Sequence, residues 1–233
     1  MIKPQLIYSF FLADFDLVGV FAVSNLQIII GVAIILVFLL VICIIFVIVS
    51  RIEKKEHLLM EKIMPEIASK FGKAVSASAD ALRFERNETI FDAQIKSVSL
   101  GGRGEAPRTT DIVFEVQFNL PNLHEKFFIQ HKSVFSKYSS DCQPILISAM
   151  PKDFIFHSLN AQFLLSLLYK EKILTEIHKY PSDWFNRFRI GFENGMFILT
   201  WRVGDRKRQQ NKAESLQQIC QTAVIFYDEL LER

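Results

Sequence analysis

Residues 28 to 49 read IIIGVAIILVFLLVICIIFVIV, an apolar run without a single charge. As a helix this run is about 33 Å long, against roughly 30 Å of hydrocarbon in a bilayer. Within lipid its backbone groups can be satisfied only in a helix or a closed barrel, and one strand-length run cannot close a barrel. The sequence therefore predicts one membrane span near the N-terminus.

The length of this run also separates a permanent anchor from a cleaved signal peptide. A signal peptide has an apolar centre of roughly 7–15 residues and small residues at its cleavage site. Here the run is longer, and it ends at Val49-Ser50-Arg51 without a pair of small residues. We therefore predict an uncleaved transmembrane helix over residues 26–50.

Basic residues near the span predict its orientation. Residues 51–70 contain Arg51 and four lysines, whereas Lys3 is the one basic residue that precedes the span. Because basic side chains resist translocation, we expect a single-pass protein of the cell inner membrane with its C-terminal domain in the cytoplasm. Residues 1–25 would then form a short extracytoplasmic tail.

The segment before the span allows two interpretations. Residues 5–24 are largely apolar but contain Asp14 and Asp16. The first interpretation, which we favour, is an external tail that rests against lipid or a partner. The second is a partner-stabilised membrane segment whose acids are paired inside a complex.

The composition after residue 50 limits the classes of partner. This part holds all but one of the 27 Lys and Arg residues and all but two of the 25 Asp and Glu residues. It is therefore only slightly basic, and we expect no nucleic-acid partner. Phenylalanine is abundant, with 22 residues, and many lie at alternating positions, which favours a β core lined with aromatic rings.

Residues 51–74 are predicted to continue as a juxtamembrane helix. Apolar residues recur along it at spacings of seven and four, and we expect this stripe to dock onto the following domain: Ile52, Leu59, Ile63, Ile67 and Phe71. Pro65 either kinks the helix or begins a new one, and Gly72 suits a helix end.

Residues 75–233 are predicted to form a cytoplasmic α+β domain. Four or five antiparallel strands follow from alternating patterns in segments between residues 82 and 148. A helix is expected after Asp153, its predicted N-cap, and to end at Pro181; a last helix is expected near the C-terminus. The predicted fold is thus an N-terminal transmembrane helix followed by a mostly antiparallel sheet covered on one face by two helices.

A β-hairpin over residues 186–203 is the clearest local prediction in this domain. Asn194-Gly195 is a favoured two-residue turn, because both turn positions need a positive φ. The turn sets a register in which three apolar pairs face each other: Phe192 with Phe197, Ile190 with Leu199, and Phe188 with Trp201. We therefore expect one apolar face that packs under the helices.

The other face of this hairpin carries the candidate anion-binding residues. Arg187 and Arg202 lie opposite each other with Arg189 beside them, and the loop that follows adds further cations, Arg206, Lys207 and Arg208. Like charges across strands are destabilising, so an acidic group should lie nearby. These residues form either a solvated face neutralised by carboxylates of the same chain, which we favour, or a site for an anionic ligand or lipid head group.

Motifs for enzymatic chemistry are missing from the sequence. The five histidines form no H-x-x-x-H pair and no pair with a cysteine at metal-ligand spacing, and G-x-S-x-G does not occur. Gly101-Gly102-Arg103-Gly104 could form a phosphate-binding nest, but a loop between strands fits better. We expect no metal, no cofactor and no catalytic residue, although a hydrolase site assembled by the fold stays open.

This layout resembles that of the many uncharacterised bacterial single-pass proteins with a small cytoplasmic α+β domain, over about residues 26–233. The resemblance implies no catalytic residue. We expect a membrane-anchored, non-enzymatic interaction or scaffold module, an accessory subunit of an inner-membrane assembly with a protein partner in the membrane or at its cytoplasmic face. The alternative is a binding domain for an anionic ligand or lipid head group, and homo-oligomerisation stays open.

Overall fold

The computed structural model describes residues 25–100, 109–132, 142–145, 147, 153–180, 186–204 and 211–232. Its helices are α1 (Asn25–Phe71), α2 (Ala161–Leu168), α3 (Glu171–His178) and α4 (Lys212–Leu231). Its strands are β1 (Lys73–Ala77), β2 (Ala81–Arg86), β3 (Thr89–Leu100), β4 (Thr109–Asn119), β5 (Phe127–His131), β6 (Gln143–Ile145), β7 (Phe154–Ser158), β8 (Asn186–Glu193) and β9 (Met196–Val203). The predicted α+β class is confirmed.

Helix α1 is the one helix among the described residues that is long and apolar enough to cross a membrane, judged by length and composition. The chain divides into two compact units, the first ending at Lys54 and the second running from Lys55 to Arg233. Helix α1 therefore contributes to both units. Pro65 lies inside α1 and does not begin a new helix, and Gly72 follows the helix end as predicted.

All nine strands form one antiparallel sheet in the order β1-β2-β3-β4-β9-β8-β5-β7-β6. Alternating residues place two different surfaces on its two faces. One face is apolar and packs under the helices, and we name it the covered face. The other carries most of the charged residues of the central strands, and we name it the open face; at β5 its residues Phe128 and Gln130 are buried.

A row of phenylalanines crosses the covered face and contains six of the 22 in the chain. The row pairs one ring from each of six neighbouring strands: Phe84, Phe91, Phe118, Phe197, Phe192 and Phe127. Adjacent rings lie close, for example 4.7 Å between the centroids of Phe84 and Phe91 and 4.4 Å between those of Phe118 and Phe197. Stacked and tilted rings at these distances add to the stabilisation from burial.

The last turns of α1 belong to the core of the second unit. Their buried residues are Met60, Met64, Ile67, Ala68 and Phe71. This confirms the predicted docking, but the stripe is rotated, because Leu59 and Ile52 are exposed. Residues 55–74 are thus part of the second unit.

Arg86 ties the end of α1 to α4. Its guanidinium donates to both carboxylate oxygens of Asp228, at 3.0 and 2.8 Å, and to the carbonyl of Phe71 at 3.2 Å. A bidentate pair of this kind has a fixed geometry. The bond to Phe71 gives a partner to a carbonyl at the C-terminus of α1. Gly72 is needed at this junction, because a Cβ there would lie 2.2 Å from the carbonyl oxygen of Glu85.

The prediction of a helix that begins after Asp153 is wrong for residues 154–158. Residues 154–158 form β7, which pairs with β5, and helix α2 begins after Asn160. The Asn160 side chain accepts the backbone N–H of Phe163 at 3.1 Å, a normal N-cap bond. The helical part is also divided into α2 and α3, and α4 and the end of α1 join them over the covered face.

Candidate functional site

The hairpin β8–β9 has the predicted register and positions the candidate site. Asn194 and Gly195 have φ values of 53° and 76°, the left-handed values that a two-residue turn requires. Phe188 faces Trp201, and Trp201 is buried on the covered face. On the open face, Arg187 faces Arg202 and Arg189 faces Thr200.

The three arginines of this face have three different environments. Arg202 donates through Nε to the Asp111 carboxylate at 2.5 Å, which is the acidic neighbour that the sequence predicted. The guanidinium of Arg189 lies over the ring of Phe128, 5.6 Å from its centroid. Within the described parts of the chain, no carboxylate comes within 4 Å of Arg187 or Arg189. Arg206, Lys207 and Arg208 lie outside the described residues, as do residues 5–24 and Gly101–Gly104.

The other charges near this face are paired within the chain. Four further ion pairs join neighbouring strands or their connections: Lys73 with Glu85, Arg83 with Asp92, Lys96 with Glu115, and Lys126 with Glu193. Exposed pairs of this kind contribute little to stability. Among the described strand residues of the open face, Arg187 and Arg189 are therefore the cations that have no carboxylate partner.

A hollow of about 490 Å³ opens on this face beside the turn. Its floor is the backbone of Gly191, which stands between Ile198 of β9 and Phe128 of β5 in the cross-strand row. A Cβ at position 191 would lie 3.3 Å from the Phe128 ring, so the glycine keeps the hollow open. Arg189 and Glu193 lie at its edge. Arg189 is thus the one arginine of the predicted trio that lines the hollow.

A second groove, between α1 and α4, differs in its chemistry. It has a similar volume, about 490 Å³, and its lining includes Ile63, Glu66, Lys70 and Gln217. Lys70 donates to the side-chain oxygen of Gln217 at 2.9 Å across it. Its cation therefore already has an acceptor in the chain, unlike Arg189.

A buried polar chain between α3 and α4 was also not predicted. Thr222 donates through Oγ1 to the Glu176 carboxylate at 2.9 Å, and the Tyr180 hydroxyl lies 2.7 Å from the same Oγ1. Lys179 also donates to Glu176. Burial raises the pKa of the Tyr180 hydroxyl, so it stays protonated. Each group has a partner, and we interpret the chain as a link between the two helices.

Sequence reasoning missed Asp111, Phe128 and Gly191 as parts of this surface. The predicted hairpin register already placed Gly191 opposite Ile198 on the polar face, and this was a signal for a gap there. Phe128 gave no such signal, because its position depends on the pairing of β5 with β8, about 60 residues later in the chain. A pairing over that separation cannot be read from local pattern.

No family model and no curated protein sequence matches this chain. Among solved structures it is similar to the crystal structure of the mycobacterial trehalose monomycolate transport factor A, TtfA. The TM-score is 0.40 with 8% sequence identity, over 69% of this chain and 77% of that chain. A similarity of this size carries no functional argument. Helix α1 and the α+β unit are themselves compatible with a membrane-anchored accessory module.

Proposed function

We propose that this protein is a membrane-anchored, non-enzymatic interaction or scaffold module, an accessory subunit of an inner-membrane assembly. The observation that carries the proposal is the double role of α1. The same helix supplies the apolar span and the buried residues from Met60 to Phe71 in the core of the second unit. A span that continues without a break into a helix of the folded unit suits a protein that keeps this unit at a membrane.

The second unit lies in the cytoplasm in this proposal, because the basic residues follow the span. The open face supports an interaction role, since it exposes Met196 and Ile198 beside an arginine without a carboxylate. Exposed apolar groups rimmed by polar ones are typical of binding surfaces.

Co-purification tests the proposal. The tagged full chain, extracted from native membranes in mild detergent, should retain a defined set of membrane proteins. The matched control is a tagged chain that ends at Lys54 and keeps the same span, and it should lose them. Elution of the full chain alone, or equal retention by the control, would contradict the proposal.

A second candidate function, binding of an anionic ligand or lipid head group, is favoured by one observation. Arg202 Nη2 is buried and donates to no acceptor among the described residues, and Arg187 faces it across the strands. A buried donor without an acceptor is costly, and an anion between the two arginines would satisfy it.

This candidate is tested with glycerophosphate and inorganic phosphate added to the full chain. A ligand that binds the folded state raises the melting temperature by mass action. The rise should shrink with added salt and vanish in Arg187→Ala. Stabilisation by glycerophosphate alone would indicate a lipid head group, stabilisation by both a phosphate site, and no stabilisation by either would remove this candidate.

A further inference from the structure

We infer that the hollow over Gly191 binds a short segment of a protein partner in which an apolar residue stands next to an Asp or Glu. In this complex an apolar side chain of the partner lies over Gly191, and a neighbouring carboxylate pairs with Arg189. The inference deepens the proposed function and rests on it, because it assigns the surface and the partner chemistry of the interaction module.

The apolar part of the site follows from the strand register. Gly191 has no side chain, and its cross-strand neighbours Ile198 and Phe128 form two walls around the gap. The Ile198 side chain keeps 38% of its surface exposed although it lies in the centre of the sheet. Covering this surface with an apolar side chain would remove it from water, which favours association.

The charged part of the site follows from Arg189. Its guanidinium is placed by the Phe128 ring at 5.6 Å, a distance at which a cation and an aromatic face attract each other. Its position over the ring requires no carboxylate of the chain. A guanidinium binds a carboxylate through two parallel hydrogen bonds, so a partner's Asp or Glu is the complementary group.

The charge balance of the face favours a protein segment over a lipid surface. Anionic membranes are recognised by clusters of roughly four to eight basic residues. Over the described residues of the open face, only Arg187 and Arg189 have no carboxylate of the chain. Glu193, paired with Lys126 at 2.6 Å, adds a carboxylate at the edge of the hollow. One cation beside an apolar gap fits one acidic side chain next to an apolar one.

The test selects peptides from a random display library on the full chain in nanodiscs of zwitterionic lipid. Selected peptides should be enriched in Asp or Glu beside large apolar residues. Arg189→Glu and Gly191→Val should each weaken a selected peptide at least about tenfold, because one loses the charged bond and the other fills the hollow. Ile90→Ser is the matched control, since Ile90 lies on the same face with 40% exposure, and it should change nothing.

The outcomes separate this inference from the proposed function. Because Arg189 is partly exposed, its variant should keep the wild-type melting temperature and tests the site even if Gly191→Val does not fold. Peptides without acidic residues, or equal binding by Arg189→Glu, would overturn the inference. So would salt-dependent displacement of the peptide in nanodiscs of anionic lipid, which would indicate a lipid site. Partners that co-purify equally with Arg189→Glu would leave the proposed function in place and refute the inference alone.

Discussion

Replacing Trp201 with alanine tests the hairpin register and the position of the core together. The indole is 1% exposed and lies against aromatic rings on two sides, with centroids 5.0 Å from Tyr180 and 6.0 Å from Phe114. Phe114 is held in β4, and the Tyr180 hydroxyl is hydrogen-bonded to Thr222, so these rings cannot close over the space that the indole leaves. The loss should therefore be about 3–5 kcal/mol, typical for deletion of a buried aromatic side chain.

For a unit of this size the melting temperature should fall by roughly 6–20 °C. The assay is thermal labelling of the Cys220 thiol in detergent, in a background with Cys43 and Cys142 changed to serine. Cys220 is buried, and burial raises its pKa, so it reacts only on unfolding. Ile198→Ala, on the same strand but the open face, should cost less than about 1 kcal/mol. Equal effects of the two substitutions would refute the assignment of faces.

Three further predictions follow from the junction, the topology and a buried carboxylate. Gly72→Ala should destabilise by about 1–3 kcal/mol through its contact with the Glu85 carbonyl, whereas Gly31→Ala, with nothing within 4 Å, should not; thermal labelling compares them. A reporter active only outside the cytoplasm, fused after Arg233, should be silent, and activity would overturn the topology. Glu229 of α4 is paired with Lys170 and Lys172. Hydrogen bonds from Lys170 and then Lys172 lower the pKa of the Glu229 carboxyl below its ordinary 4.5, so its stabilisation is present above that pH and lost as pH falls through the lowered value. The melting temperature should fall less at acid pH in Glu229→Gln than in the wild type. An equal fall in the two proteins would contradict this prediction.

Local sequence patterns correctly predicted the parts of the fold that depend on residues close together in the chain. The apolar run predicted α1, and the Asn194-Gly195 turn predicted the register of Phe188 with Trp201 because the turn geometry fixes the pairing. The stripe on α1 correctly predicted docking through Ile67 and Phe71, but it wrongly included Ile52 and Leu59, which are exposed. Methionines contributed to this error, since Met60 and Met64, not Leu59, are buried. Which side is buried depends on the arrangement of β2 and α4 around it.

Long-range pairing explains what the sequence did not predict. The segment FIFHS at residues 154–158 has the composition of a strand, but the helical spacing that follows it led to one continuous helix. Its pairing with β5 decides its conformation. The candidate site shows the same limit: Arg187, Arg189 and Arg202 were placed on one face correctly, whereas the Asp111 partner of Arg202 and the Phe128 contact of Arg189 come from distant strands.

Site-specific photo-crosslinking in living cells tests most directly whether the domain acts through its open face. A photoreactive phenylalanine analogue is placed at Ile198 in one strain and at Ile90 in another, at similar exposure on the same face. We expect one discrete cross-linked protein from position 198, none from position 90, and loss of the product when Arg189 is changed to Glu. Equal products from both positions, or none from position 198, would contradict it.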